Sequence, residues 1–222
     1  MAKICATLAD AVTLINSLYD IDSEAPSSGD EDYTVWTSLL NVAINLWDNE
    51  EGMLWKELFT KLDDAADGDK TAAAGDFSYD LPTNFAFSNA ANVWIGSNTN
   101  KTPYKVIKIQ DVQLYENDSE NWCYFATDTL EFNPNCAVKA GTIRYDYYKY
   151  ATALTGPTSA FEMSDPMFAV YYVLSELKKE EGDTTAAAIA TQKLEAMRTK
   201  NEMSTWNQDS SLLGNTDTGF GR

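Results

Sequence analysis

The chain has 222 residues, 44% of them hydrophobic, which is enough to bury a full core. Its 16 basic and 34 acidic residues give a formal charge of −18, so the overall field repels nucleic acid and disfavours a nucleic-acid-binding function. Histidine is absent from the sequence, which excludes Ser-His-Asp and Cys-His catalytic sites and histidine-ligated zinc or iron.

The first predicted element is an amphipathic helix over residues 3–19, followed by an exposed loop. Residues 20–32 combine Pro, Gly, Ser and acids, which is typical of a loop. The helix prediction rests on apolar side chains at helical spacing: Ile4, Leu8, Val12, Ile15 and Leu18.

Two more helices are predicted before the middle of the chain. Asp32 is a suitable N-cap for the second helix, and a third is predicted to begin after Gly52. The apolar face of the second helix consists of Trp36, Leu40, Ala43 and Trp47, and that of the third consists of Leu54, Leu58 and Leu62.

The segment 63–76, DDAADGDKTAAAGD, is the part of the chain most similar to a metal site. Alignment with a calcium-binding loop fails at Ala65 and again at Ala74, where a bidentate Glu is needed. We therefore expect a flexible acidic connector. A metal-dependent hydrolase built on Asp63 to Asp76 is kept as a third hypothesis, which divalent-ion titration tests.

Acidic residues are concentrated in the first part of the chain. Residues 20–80 contain 16 acids and only three bases. They form either a solvated, solubilising face or a wall along which a polyanion slides without binding. The candidate acidic face consists of Asp30, Glu31, Asp32, Asp63, Asp64, Asp67 and Asp69.

From Phe77 the hydrophobic period changes from helical to alternating, which predicts strands. Asn and Gly clusters separate the apolar runs as turns. The result is a five- or six-stranded antiparallel β unit. Its predicted strands lie at 77–87, 93–95, 104–114, 122–125, 130–132 and 142–150.

A helical hairpin is predicted after the β region. Asp165 and Pro166 are suited to begin a helix, Gly182 to end it, and Asp183 to cap the next one. These helices are expected to pack antiparallel on the N-terminal ones. Their apolar seams are Met167, Val170, Leu174 and Leu177, then Ala187, Ala190, Leu194 and Met197.

After about Met203 the sequence is polar and glycine-containing, so residues 204–222 are predicted to form an extended tail. Large apolar side chains within it are candidate anchors for a partner protein. These candidate anchors are Trp206, Leu212, Leu213 and Phe220.

These elements predict an α+β fold. It consists of an antiparallel helical bundle, made of the N-terminal helices and the C-terminal hairpin, with an inserted antiparallel β region and an extended C-terminal tail. The predicted domain covers residues 1–203, with helices in 3–66 and 166–202 and the β region at 77–150.

Three cysteines at wide spacing, Cys5, Cys123 and Cys136, do not form a metal-binding set. Cys5 is expected to be a buried hydrophobe, and a Cys123–Cys136 bridge stays open. We expect no cofactor and no metal. The chain has neither an apolar leader nor a run of about 18 apolar residues, so a soluble protein made in a cytoplasm is expected.

The sequence also lacks the motifs of other enzyme classes. Neither GxxxxGK[ST] nor GxGxxG occurs between a strand and a helix. Adjacent carboxylates such as Glu180 and Glu181 carry little information in so acidic a chain. We therefore predict a structural protein and not an enzyme.

The order of elements resembles that of the head-to-tail adaptor, or connector, proteins of tailed bacteriophages. The resemblance covers roughly residues 1–203, and Asn84 stands where the family pattern usually has an acid. It rests on several short motifs and on the helical hairpin at 165–200 that begins with Asp-Pro. The motifs are LLNVAINLW (39–47), MLWKEL (53–58), YDLPTNF (79–85) and YYKYATALT (147–155).

The resemblance implies a ring, typically dodecameric, that docks beneath the portal of the virion neck and contacts the next tail protein. It implies that double-stranded DNA passes through the ring without specific binding, that no membrane is involved, and that the chain is made in the bacterial host cytoplasm. The C-terminal tail would reach the portal or a neighbouring subunit.

The sequence also allows a second function, that of a binding module. The β region is rich in aromatic residues, and Trp94, Trp122 and the tyrosines are suited to a carbohydrate- or surface-binding module. That function requires these rings to be exposed together, whereas a connector would bury most of them.

Overall fold

The computed structural model describes residues 5–19, 24–97, 99–115 and 117–213, with side chains described up to Met203. The chain divides into two compact units. The helical unit comprises residues 1–57 and 151–222, and the β unit comprises residues 58–150.

The helical unit contains four α-helices in the part of the chain that is described. Helix α4 packs on α1, α2 and α5, so it lies at the centre of the unit. The bounds are α1 Leu8–Tyr19, α2 Glu31–Asp48, α4 Met167–Leu177 and α5 Thr185–Leu213.

Local hydrogen bonds define where α1 begins. The Oγ1 of Thr7 accepts from the backbone N–H of Asp10 at 3.3 Å, and Asp10 Oδ2 accepts from the N–H of Thr7 at 2.9 Å. This reciprocal pair is a capping box, which satisfies donors that the first turn leaves unpaired. Helix α2 begins two residues earlier than predicted, because Asp30 and not Asp32 occupies the N-cap position.

The predicted caps of the C-terminal hairpin at Asp165 and Asp183 are confirmed, but α4 ends at Leu177, and a 3₁₀ turn, Lys179–Glu181, leads from it to Gly182. The Oδ1 of Asp165 accepts from Met167 N–H at 3.1 Å, and that of Asp183 accepts from Thr185 N–H at 2.8 Å. Gly182 has a φ of 71°, the left-handed conformation that ends a helix. The sequence signals here are local, so they predict the structure well.

The β unit contains ten short strands and the one-turn helix α3, Val112–Tyr115. Three strands form a sheet in the order β1-β10-β4, and seven form a sheet in the order β2-β9-β5-β6-β7-β8-β3. The bounds are β1 Phe59–Lys61, β2 Thr71–Ala72, β3 Ser78–Asp80, β4 Phe85–Phe87, β5 Asn92–Gly96, β6 Lys101–Val106, β7 Trp122–Phe125, β8 Thr129–Phe132, β9 Gly141–Arg144 and β10 Asp146–Lys149.

The seven-stranded sheet nearly closes on itself. Its two outer strands, β2 and β3, are neighbours in the chain, and Asp69, just before β2, hydrogen-bonds with Asp80 of β3. Asp69 N–H donates to Asp80 O at 2.8 Å, and Asp80 N–H donates to Asp69 Oδ2 at 2.9 Å. The sheet is therefore a near-barrel with its apolar core inside.

Inward-facing residues of both sheets form that core, including the fully buried Val93, Tyr104 and Tyr147. Strands β5 and β9 approach most closely at two glycines. A Cβ on Gly141 would lie 2.8 Å from the Cα of Gly96, and both residues have positive φ, 149° and 135°. Only glycine fits this contact.

The predicted fold class is wrong in its architecture, and only the α+β label agrees with the structure. The β unit is not an antiparallel insertion in a helical bundle but a large, mixed, nearly closed sheet with its own core. Strands β6 and β7 pair in parallel, with α3 in the connection between them. Alternating hydrophobicity identifies strands but carries no information about such long-range pairing.

Three predicted elements are also wrong in detail. The third predicted helix is a 3₁₀ turn, Lys56–Leu58, followed by strand β1, which pairs with β10. The predicted strand 104–114 ends at Val106 and continues into 3₁₀ and α3 turns. The backbone of α5 stays helical beyond Met203, to Leu213, so an extended tail does not begin at residue 204.

None of the helices traced in the described ranges combines the length and apolarity that crossing a bilayer requires.

Candidate functional site

The short motifs that carry the family resemblance are structural contacts in the folded chain. Asn41 of α2 lies opposite the 151–155 segment, where its Nδ2 donates to Leu154 O at 3.0 Å and its Oδ1 accepts from Leu154 N–H at 2.8 Å. Two motifs that are far apart in sequence, 39–47 and 147–155, therefore meet through one amide pair.

The motif at 53–58 is fixed from two sides. The indole rings of Trp47 and Trp55 lie 5.4 Å apart, and Trp55 Nε1 donates to the carbonyl of Trp47 at 2.6 Å. From α5, Asn201 donates to Leu54 O at 2.8 Å and accepts from Lys56 N–H at 3.3 Å. These contacts attach α5 to the segment that follows α2.

In the β unit, the motif at 79–85 forms part of the sheet closure. Tyr147 O–H donates to Asn84 Oδ1 at 3.0 Å, which joins β10 to the residue just before β4. Asp67 accepts from the Thr83 hydroxyl at 2.7 Å and from its backbone N–H at 3.0 Å. These hydrogen bonds lower the pKa of Asp67, the hydroxyl bond more than the backbone bond.

The candidate acidic residues do not form one cluster. Asp30, Glu31 and Asp32 lie exposed at the N-terminus of α2 in the helical unit. Hydrogen bonds from the backbone N–H and hydroxyl of Ser27 hold Asp30 and lower its pKa. Negative charge at this end of a helix is favourable. The other four acids, Asp63, Asp64, Asp67 and Asp69, belong to the β unit.

In the β unit these acids lie in a structured loop, residues 63–69, which we call the clasp. The predicted flexible connector is therefore wrong. Asp63 forms a 3.9 Å ion pair with Arg144, and Lys70 donates to the carbonyls of Asp63 and Ala65. Gly68 has a φ of 84° and lies against Pro82, where a Cβ would be 2.8 Å from the proline nitrogen. Across the described ranges, no group of three or more potential ligand side chains is arranged to hold a metal ion.

All three cysteines are buried free thiols, so Cys123 and Cys136 are not bridged. Burial raises the pKa of Cys5 to about 11 and that of Cys123 to about 12. Thiols with raised pKa values are poor nucleophiles, which is typical of cysteines that serve as small hydrophobes.

The aromatic residues of the β unit are mostly buried and do not form a binding platform. Trp122 is 3% exposed, Tyr104 and Tyr147 are fully buried, and the ring of Tyr104 packs edge-on against Phe132 at 4.9 Å. Trp94 is partly exposed, with the Lys101 ammonium 4.6 Å above its ring. The exposure that a carbohydrate-binding module requires is therefore absent from these residues.

Helix α2 carries an exposed apolar stripe in addition to its buried face. We call Val35, Leu39, Val42 and Leu46 the α2 stripe. Leu39 is half-buried, and the other three side chains are 44%, 42% and 48% exposed. At its C-terminal end Leu46 lines a cleft with residues of α4 and α5, including Phe168, Tyr172, Ala190 and Leu194.

A second apolar surface lies on the three-stranded sheet. Tyr148 of β10 lies opposite Phe59 of β1 and Phe87 of β4, with ring centroids 5.3 and 5.0 Å away. All three rings remain partly exposed. Both surfaces consist of apolar side chains without reactive groups, which is typical of contacts between proteins.

Of the candidate anchors, Trp206, Leu212 and Leu213 lie on the last part of α5, where only the backbone is described, and Phe220 lies outside the described residues. The α2 stripe was missed because the prediction used only the Trp36 face of the helix. The signal was present in the sequence, since residues 33–47 contain no charged side chain and the stripe repeats at intervals of four, three and four.

A sequence profile of the family described as SU10 adaptor protein matches residues 6–214, nearly the whole chain. No curated protein matches the chain significantly. The resemblance to head-to-tail adaptors inferred from the motifs is thereby confirmed. The chain belongs to the SU10 adaptor protein family, a family of phage head-to-tail adaptors.

Proposed function

We propose that this chain is a non-enzymatic subunit of a connector ring that docks beneath the portal, links the capsid to the tail and lines the DNA channel. The observation that carries the proposal is the family match over residues 6–214. The ring has twelve copies, as the resemblance implies, and its other partner is the next tail or neck protein.

The exposed apolar surfaces support an assembly role. A chain that works alone has no need for a half-exposed apolar stripe along one helix and a row of partly exposed aromatic rings on a sheet. In a ring each copy contacts two neighbours and the proteins above and below. Surfaces of this kind become buried in such contacts.

We also propose that the acidic residues keep DNA moving through the ring. Binding of a duplex requires bases that neutralise its phosphates. Residues 20–80 have a net charge of −13, from 16 acids and three bases. A channel lined by Asp30 to Asp32, or by the clasp acids Asp63 to Asp69, repels the phosphates and lets the genome pass during ejection.

The C-terminal residues supply the contact with the proteins around the ring. Trp206, Leu212, Leu213 and Phe220 are large apolar side chains in a polar sequence, and they gain most by burial against a partner. Many such weak anchors act together around a ring, which gives tight attachment without a tight single contact.

The test is co-sedimentation of the purified chain with the portal ring of the same phage. Full-length chain is expected to sediment with the portal. A chain truncated after Met203 is expected to lose only the helical circular dichroism signal of the last ten residues of α5 and to bind at least tenfold more weakly. Failure of the full-length chain to bind the portal contradicts the connector function. Undiminished binding of the truncated chain contradicts the role of the anchors alone.

A further inference from the structure

The α2 stripe is a seam for another helix. Its residues are spaced by four, three and four positions, which is the spacing of the apolar residues along one side of a coiled-coil helix. The stripe covers twelve residues, and the eleven helical rises between its ends make it about 16 Å long. A different side of the same helix already lies in the core of the helical unit, and it consists of Trp36, Leu40, Ala43, Ile44 and Trp47.

Charge favours a second copy of this chain as the occupant. Two copies with a formal charge of −18 each repel one another, so they can approach closely only where both surfaces lack charge. Residues 33–47 of α2 contain no charged side chain, in a sequence that is 23% charged. Depletion of charge is also what distinguishes the centre of protein interfaces from other surface.

The last part of α5 has the apolar spacing and the low charge that a partner of the α2 stripe requires. Helix α5 has 29 residues, whereas α4, its main packing partner, has 11. Asn201 is buried and fixed to the backbone of Leu54 and Lys56, but Met203, one half-turn later, is 63% exposed. Met203 therefore lies on the side of α5 that faces away from these Asn201 contacts.

The sequence beyond that point resembles the stripe. Met203, Trp206, Ser210 and Leu213 are spaced by three, four and three positions along a helical backbone, and Asp209 is the one charged residue in 203–213. A seam of this spacing is complementary to the α2 stripe. Helix α4 and the first part of α5 are less suitable, because α4 ends among Glu176, Lys178 and Lys179 and the first part of α5 carries Lys193, Glu195 and Arg198.

We propose that the α2 stripe of one copy binds the Met203–Leu213 segment of α5 from the neighbouring copy. This inference rests on the proposed ring, and it identifies the lateral contact between subunits. The contact joins two different surfaces, so it is head-to-tail, and repetition around an axis closes a ring. Phe220 and the residues near it then remain for the portal.

The size of the seam predicts how the ring forms. One face of a helix this short buries on the order of 300–400 Å² on each partner, about half of what a stable pair of proteins requires. Isolated pairs are therefore short-lived, and the ring persists when every copy has two neighbours or when a portal aligns the copies.

Cysteine cross-linking tests the assignment directly, because the three native cysteines are buried. Copies with Val42→Cys and differently tagged copies with Met203→Cys are mixed, oxidised and examined for the disulfide-linked heterodimer. The experiment is run at high protein concentration and again on the portal ring. The matched control replaces Val42→Cys by Thr34→Cys, which is exposed on the same helix away from the stripe.

The expected result is at least a tenfold higher yield of the Val42–Met203 cross-link than of the Thr34–Met203 control. Equal yields overturn the proposal. Predominant Val42–Val42 cross-links also overturn it, because they indicate that α2 packs on the α2 of the second copy.

A second variant tests the contribution to assembly. Val42→Glu is expected to lower the number of copies bound to the portal at least tenfold, whereas Thr34→Glu leaves it unchanged, and circular dichroism checks that both fold. Normal assembly of Val42→Glu contradicts the lateral contact but not the connector function. Failure of the unmodified chain to assemble contradicts the connector function instead.

Discussion

Replacement of Asn41 by alanine tests whether the two motifs that meet at this residue hold the helical unit together. The side chain makes two hydrogen bonds to the backbone of Leu154, which is only 2% exposed. In the alanine variant the N–H and C=O of Leu154 both lose their partner. Each buried, unsatisfied backbone group costs roughly 1–3 kcal/mol.

The expected loss of stability is about 2–4 kcal/mol, since water can reach the half-buried position of Asn41 and recover part of the cost. Urea unfolding followed by far-ultraviolet circular dichroism measures this loss. With a slope of roughly 2 kcal/mol per molar urea, the midpoint falls by about 1–2 M.

Asn45→Ala is the matched control, because Asn45 lies on the exposed side of the same helix. It is expected to change the stability by less than about 0.5 kcal/mol. Equal effects of the two substitutions would refute the reasoning, because the loss at Asn41 would then reflect helix composition and not the contact with Leu154.

Three further predictions concern other parts of the chain. Gly141→Ala is expected to destabilise the β unit by about 3 kcal/mol or more in thermal unfolding, because the new Cβ meets the backbone of Gly96 at a positive φ. The control is Gly29→Ala, where the new Cβ enters open space. Similar melting of both variants contradicts the close contact. Burial and, to a smaller extent, the nearby Glu162 raise the pKa of Asp48, although a hydrogen bond from Ala151 N–H opposes them. The protonated carboxyl therefore favours the folded state, and this contribution to stability is lost as the pH rises through the folded pKa. Asp48→Asn should be more stable than the parent chain at pH 7 and equally stable below pH 3.8, the ordinary pKa of the carboxyl. No gain in stability at pH 7 contradicts this prediction. A thiol reagent at pH 8 should label none of the three cysteines in the folded chain and all three after unfolding in urea. Rapid labelling of the folded chain would contradict the burial of Cys5, Cys123 and Cys136.

The parts of the fold that follow from local sequence were predictable. The Asp-Pro start of α4 and the Asp183 cap each depend on a few adjacent residues, and the structure confirms both. The α-helix ends at Leu177, before the predicted stop, and Gly182 ends the 3₁₀ turn that follows. The family was also recognisable from the order of short motifs. These motifs encode contacts within the folded chain, such as that of Asn41 with Leu154.

The arrangement of the β unit was not predictable in the same way. Leu54, Leu58 and Leu62 have helical spacing, but the segment gains more from pairing of β1 with β10 than from helix formation. Parallel pairing of β6 with β7 and the near-closure through Asp69 and Asp80 depend on residues distant in sequence. No local pattern encodes such contacts.

Electron cryomicroscopy of the purified chain mixed with the portal of the same phage tests the central claim most directly. The account predicts a ring coaxial with the portal, of about 295 kDa if twelve copies of 24.6 kDa each are present. Portal particles without added density, together with solitary chains at every concentration, would contradict it.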